Sequence, residues 1–161
     1  MAIELADDAA TRACGAMLGA LLSPQRSWVV TLAGELGAGK TTLVRGLLGG
    51  LGHEGRVRSP TYTLIEPYRL ADRDVLHLDL YRLADPGELE YLGLEDLLTP
   101  RSIALVEWPE RGRGLLPLAD IALELSYPPP GASSGRLLSV NAANESSGEV
   151  LRALRSAADR P

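Results

Sequence analysis

The chain has 161 residues, 45% of them apolar and 23% charged, which is the composition of an ordinary globular protein forming one domain, residues 1–161, with a substantial core. Its net charge of −5 argues against an extended nucleic-acid surface, so any RNA is expected to be held by a partner. No run reaches the ~18 apolar residues of a membrane span, Met1–Asp8 is acidic where a signal peptide is basic, and the lone Cys14 excludes an internal disulfide; a cytoplasmic protein is expected.

Met1–Leu5 reads as a short edge strand, followed by an amphipathic helix capped by Asp7 or Asp8 and stopped at Pro24. Cys14 falls on the apolar stripe of that helix as a small buried hydrophobe. Trp28–Ala33 is a near-continuous apolar strand, and Thr41 to Leu51 has helical spacing with Gly49, Gly50 and Gly52 ending it. Two strand-like runs, Thr63–Leu70 and Val75–Tyr81, flank the turn-rich Ala71-Asp72-Arg73-Asp74 and predict a hairpin. Asp85 precedes Pro86 as an N-cap, opening a short helix toward Tyr91, and a further turn covers Leu94–Leu98. Ser102–Glu107, Asp120–Tyr127 and Arg136–Ala142 read as strands, with a Pro/Gly/Ser loop at 128–134 and a closing helix at Glu149–Arg155. Helices and strands in this alternation predict an α/β fold in which a mixed β-sheet lies sandwiched between helices.

Between the first long strand and its helix, Gly34-Glu35-Leu36-Gly37-Ala38-Gly39-Lys40-Thr41 matches G-x-x-x-x-G-K-[ST] in full, and strand-loop-helix is the context a P-loop requires. Glycines lack the Cβ that blocks close approach, so successive backbone N–H groups and the helix N-terminus converge on a phosphate. Lys40 is the only lysine among 16 basic residues, and a compact ammonium enters a phosphate cradle where a planar guanidinium does not. Thr41 carries the hydroxyl expected on Mg²⁺, and Thr42 reaches the α-phosphate. Leu36 is read as a packing residue.

A magnesium ion in such a loop takes one or two carboxylates. Ile103-Ala104-Leu105-Val106-Glu107 has the pattern of a buried strand delivering an acid to the ligand edge of the sheet. Alternation places Val75, His77, Asp79 and Tyr81 on one face of their strand and three leucines on the other. Pattern alone leaves Asp79 open between ligand and surface acid, and reads His77 as a surface histidine on a polar outer face. Ser59-Pro60-Thr61-Tyr62-Thr63 stands where nucleotide-sensing switch segments lie, and reads equally as an ordered turn. Trp108 admits interior packing or a platform beside a nucleotide.

Taken together, Gly34-Glu-Leu-Gly-Ala-Gly-Lys-Thr-Thr42, Ser59-Pro-Thr-Tyr-Thr63, His77-Leu-Asp-Leu-Tyr-Arg82 and Val106-Glu-Trp-Pro-Glu-Arg111 resemble the TsaE family, the small bacterial P-loop ATPases of tRNA threonylcarbamoyladenosine biosynthesis. The resemblance spans about residues 1 to 142. It implies a protein that binds ATP with Mg²⁺ and hydrolyses it, weakly alone, when docked on a complex of TsaB and TsaD type subunits; the carbamoyl transfer beside the anticodon belongs to TsaD, and tRNA is met only through these partners. Carried over, Glu35, Leu36, Gly37, Ala38, Gly39, Lys40, Thr41 and Thr42 contact the nucleotide, joined by Thr11 in the first helix and Thr61 in the switch segment. Thr41, Asp79 and Glu107 stand at the metal, and catalysis rests on Lys40, Asp79 and Glu107. Where the family usually has a serine just before the first helix, Ala6 or its neighbours stand here.

Two rival readings survive at this stage. A small-molecule P-loop kinase would use Arg111 and Arg113 as a lid, and a non-hydrolysing interaction module would use nucleotide only to set its shape.

Overall fold

In the computed structural model, residues 1–129 and 135–158 are described; most of the predicted 128–134 loop lies outside them. The apolar run becomes β2 (Trp28–Gly34), at the middle of a seven-stranded sheet in the order β1-β7-β6-β2-β5-β4-β3. Its partners are β1 (Ala2–Leu5), β3 (Ile65–Arg69), β4 (Asp74–Asp79), β5 (Ile103–Glu107), β6 (Ile121–Ser126) and β7 (Arg136–Ala142). The strands β6, β2, β5 and β4 run parallel, while β3, β7 and β1 pair antiparallel at the two margins.

One sheet face is covered by α1 (Asp8–Leu21), α2 (Lys40–Gly50) and α5 (Glu145–Ala158), which bury Leu18, Leu43, Leu47 and Leu154 against Val30, Leu32 and Leu105. The opposite face carries a second core of Leu76, Leu78, Leu80 and Val106 beneath Leu89 of α3 (Glu88–Tyr91) and Leu94 of α4 (Leu94–Leu97). The architecture is thus the predicted α/β fold, a mixed sheet between helices. Register on the parallel strands aligns Leu32 with Glu107 and Glu107 with Asp79, so two carboxylates reach the same edge as the loop after β2. Among the described residues no helix is long and apolar enough to cross a membrane.

The helix after the glycine loop spans Lys40–Gly50, within a residue of the expected Thr41–Leu51 at each end, and Gly50 in it is a packing contact, since a Cβ there would lie 2.0 Å from the Ala16 carbonyl oxygen. Gly52, at φ +94°, is where the chain turns away. The last helix starts at Glu145, since Asn144 Oδ1 accepts from Ser147 N at 3.0 Å and supplies a cap upstream of the apolar periodicity. Both faces of β4 are covered, so alternation there separates two interiors rather than core from water, and His77 is fully buried. The predicted surface position of His77 is wrong for that reason. The expected Asp85 cap is displaced: the helix begins at Glu88 with Gly87 as its N-cap and no side chain over it, while Asp85 Oδ1 accepts from Gly87 N at 2.6 Å in the turn that precedes it. Cys14 is buried as predicted, and burial pushes its thiol from the ordinary 9.0 up to about 11.

Candidate functional site

The loop from Gly34 to Lys40 has its three glycines at positive φ, +135° at Gly34, +78° at Gly37 and +103° at Gly39, conformations that L residues avoid. Gly39 is the N-cap of α2 with no side chain over the helix end, which leaves the first backbone N–H groups facing outward. Lys40 is only 5% exposed. Its Nζ donates to the carbonyls of Gly34 at 2.7 Å and Glu35 at 2.9 Å and lies 3.8 Å from the centre of the Trp108 ring. Burial holds the Lys40 ammonium below its usual range, against the opposing pull of Glu107, then Asp79 and Glu110. Trp108 meets this lysine because its own backbone is left-handed, φ +59°, a conformation that costs about 1–3 kcal/mol and is concentrated at functional sites. Tyr81 packs against the same indole at a tilt of 47°, ring centres 4.9 Å apart.

Beside the lysine, Thr41 Oγ1 donates to Glu107 at 3.0 Å (Oε1) and 3.2 Å (Oε2). Glu107 is 2% exposed and also meets His77 Nε2 at 2.8 Å. The histidine therefore pins the carboxylate from beneath while the threonine engages it from the loop. Asp79 lies next to Glu107 in register, and its Oδ2 accepts from Thr61 Oγ1 at 2.8 Å and Ser59 Oγ at 3.3 Å. Its Oδ1 accepts from Tyr81 N at 3.1 Å. The Ser59–Thr63 segment is thereby tied to the sheet edge through a carboxylate.

These groups converge on a cavity of about 560 Å³, within the usual range for small-ligand sites. Lys40, Thr41, Thr42, Thr61, Asp79 and Glu107 all line it, as do Gly37 and Gly39. Leu36 lines it as well, 68% exposed, so the loop holds it out at the rim and the packing reading is corrected. Glu35, Ala38 and Thr11 are not among the lining residues. Thr11 is buried, its hydroxyl donating to the Asp7 carbonyl at 2.9 Å, with its methyl 3.9 Å from the place of a Cβ on Gly39. It stands behind the loop.

Asp8 and Arg136 line the cavity without any motif marking them. Arg136 donates from Nε to the Ala38 carbonyl at 3.0 Å and from Nη2 to the Gly37 carbonyl at 3.3 Å, and its guanidinium lies 4.5 Å from the Tyr127 ring. An arginine at the start of a distant strand gives no sequence signal of this role. Only a register linking β7 to the loop would have revealed it.

Residues 5–132 match the family model described as threonylcarbamoyl adenosine biosynthesis protein TsaE. The chain belongs to the TsaE family. A TsaE of Haemophilus influenzae is 54% identical over 106 residues, 66% of this chain and 67% of that protein. A TsaE of Synechocystis is 48% identical over 87 residues, 52% of this chain and 55% of that one; the matched segments span about half to two thirds of these curated relatives. The fold of the TsaE-family chain superposes on the crystal structure of Bacillus subtilis YdiB with a TM-score of 0.77 and 25% identity, covering 98% of this chain and 95% of that one.

Proposed function

We propose that this protein is the Mg²⁺-dependent ATP-binding and ATP-hydrolysing subunit required for threonylcarbamoyladenosine modification of tRNA beside the anticodon, acting in the cytoplasm on a complex of TsaB and TsaD type proteins. The observation that carries the reading is the joint placement of buried Lys40 and the Thr41–Glu107 contact at the head of one glycine loop. A hydroxyl and a carboxylate sharing a 3.0 Å contact are the donor pair of a magnesium site in a nucleotide loop. Among the described residues no group of three or more His, Cys, Asp or Glu forms a metal cluster, so a cation bound here would complete its shell with phosphate oxygens and water. When bound, Mg²⁺ would neutralise charge on the phosphates.

The chain's own residues account for the rest. The outward N–H groups of the loop and of α2 bind phosphate oxygens, and the positive φ glycines permit the approach. Lys40, desolvated and held against the Trp108 face, presents a fixed positive charge to the transferred group, where preorganised charge is worth most. His77 keeps Glu107 in one orientation, and Thr61 with Ser59 does the same for Asp79. Neither arginine at the cavity is free to act as a finger: Arg82 stacks on Tyr62 at 4.3 Å and Arg136 is bonded to loop carbonyls. The lack of a free arginine among the described lining residues supports the reading of weak turnover alone and stimulation by partners, with tRNA gripped by those partners.

The test is multiple-turnover modification of tRNA with purified TsaB and TsaD type partners, comparing ATP with a non-hydrolysable analogue. The proposal predicts repeated turnover with ATP alone. Equal support by the analogue would overturn hydrolysis as the function and leave a nucleotide-dependent interaction module.

A further inference from the structure

A second cavity, again of about 560 Å³, opens between α1, α2 and the loop that follows α2. Its wall holds Arg12, Arg45, Arg56 and Arg58, together with His53 and Ser59. These are four of the 15 arginines in a chain of net charge −5, and among the described residues none of the four guanidiniums is paired with a carboxylate. No acidic residue is in the described lining.

The fold builds this hollow. At the crossing of α1 and α2 a Cβ on Gly46 would lie 2.0 Å from the Arg12 carbonyl oxygen and one on Gly15 2.3 Å from that of Leu43, so the two backbones touch and Arg12 and Arg45 are brought to one wall. The loop is fixed opposite by Tyr68, whose hydroxyl accepts from Arg58 N at 3.2 Å and donates to Arg58 O at 3.3 Å. His53 packs edge-on against the same tyrosine at 4.8 Å, and its Nε2 is buried with no hydrogen-bond partner among the described residues. The four guanidiniums are solvent-exposed like charges on one wall, and an anion entering the hollow would neutralise the potential they create.

We propose that this hollow is a binding site for a compact oligophosphate anion of the pyrophosphate class, separate from the nucleotide cavity. Guanidinium forks match phosphate oxygens bidentately and carry several donors each, whereas a carboxylate ligand would satisfy only one or two of them. The cluster is concave and local, not a stripe, and the acidic balance of the chain gives a long phosphodiester backbone nothing to follow beyond it. Ser59 lines both cavities and bonds to Asp79, so charge bound here bears directly on the switch segment.

Calorimetric titration of pyrophosphate into the full-length Lys40→Ala variant tests this, because that variant removes the loop lysine from competition and the result does not depend on ATP hydrolysis. The site predicts one equivalent bound, with affinity falling at least about tenfold on each of Arg45→Gln/Arg56→Gln and Arg56→Gln/Arg58→Gln while the melting temperature is unchanged. No binding, undiminished binding in both double variants, or tighter binding of a short RNA duplex at equal phosphate concentration would each overturn it, the last assigning the hollow to phosphodiester.

Discussion

Glu107 is held by three groups at once, Thr41 above, His77 below and the β5 backbone that delivers it. Glu107→Gln keeps the shape and removes the charge, so nucleotide affinity without Mg²⁺ should stay within about threefold while turnover falls by roughly 10²-fold; ADP release measured across a Mg²⁺ series reads both. The glycine loop, Glu107 and Lys40 were legible because each chemistry-bearing residue stands at a motif position or ends an apolar run. His77 was not, because a polar residue alternating with leucines looks the same whether the second face meets water or another layer. Leu36 misled for the opposite reason, since the tight loop turns outward a residue whose type suggests the interior. Cys14 offers a pH-dependent check on burial. Its folded thiol titrates near 11 against an ordinary 9.0, so between those values the native state keeps a proton that the unfolded chain has lost. That stability is fully present below pH 9 and is lost as pH rises toward 11, amounting to about 2–3 kcal/mol. Urea unfolding of wild type and Cys14→Ala should diverge in slope over that window and run parallel below it.

At the scale of elements, the α1–α2 crossing decides how near the glycine loop comes to its backing helix. Gly46→Ala gains about 1 kcal/mol of helix propensity, but the new Cβ falls 2.0 Å from backbone oxygen, and overpacking against a rigid main chain costs about 1–3 kcal/mol or more. The clash wins, and the melting midpoint should fall by about 2–8 °C. Gly49→Ala, in the same helix with nothing within 4 Å of its Cβ, should instead raise stability by up to about 1 kcal/mol. If both substitutions destabilise equally, close packing is not what these glycines serve. Glycines inside a helical pattern read as a terminus when only local propensity is weighed; their use as a helix-to-helix contact depends on a partner 30 or so residues away that periodicity does not name. The same blindness hid the Asn144 cap of α5, which lies outside the apolar repeat.

Across the whole molecule, the acidic net charge argues against an extended RNA-binding face, yet it averages away the four arginines gathered at one hollow. Composition sums over a surface, whereas binding depends on what the fold juxtaposes. The order of the sheet does the same for the first site: β5 lies between β2 and β4, so the Glu107 strand, late in sequence, inserts beside the glycine loop and brings Thr41, Glu107 and Asp79 to one edge. Alternating strands and helices made the fold class legible, but that insertion belongs to topology and no local pattern encodes it. The most direct measurement is mass spectrometry of tRNA nucleosides from cells depleted of this protein and rescued with wild type or Lys40→Ala. Threonylcarbamoyladenosine should fall on depletion and return with the wild type alone; a level that does not move, or full rescue by Lys40→Ala, would contradict the assignment of the loop to that modification.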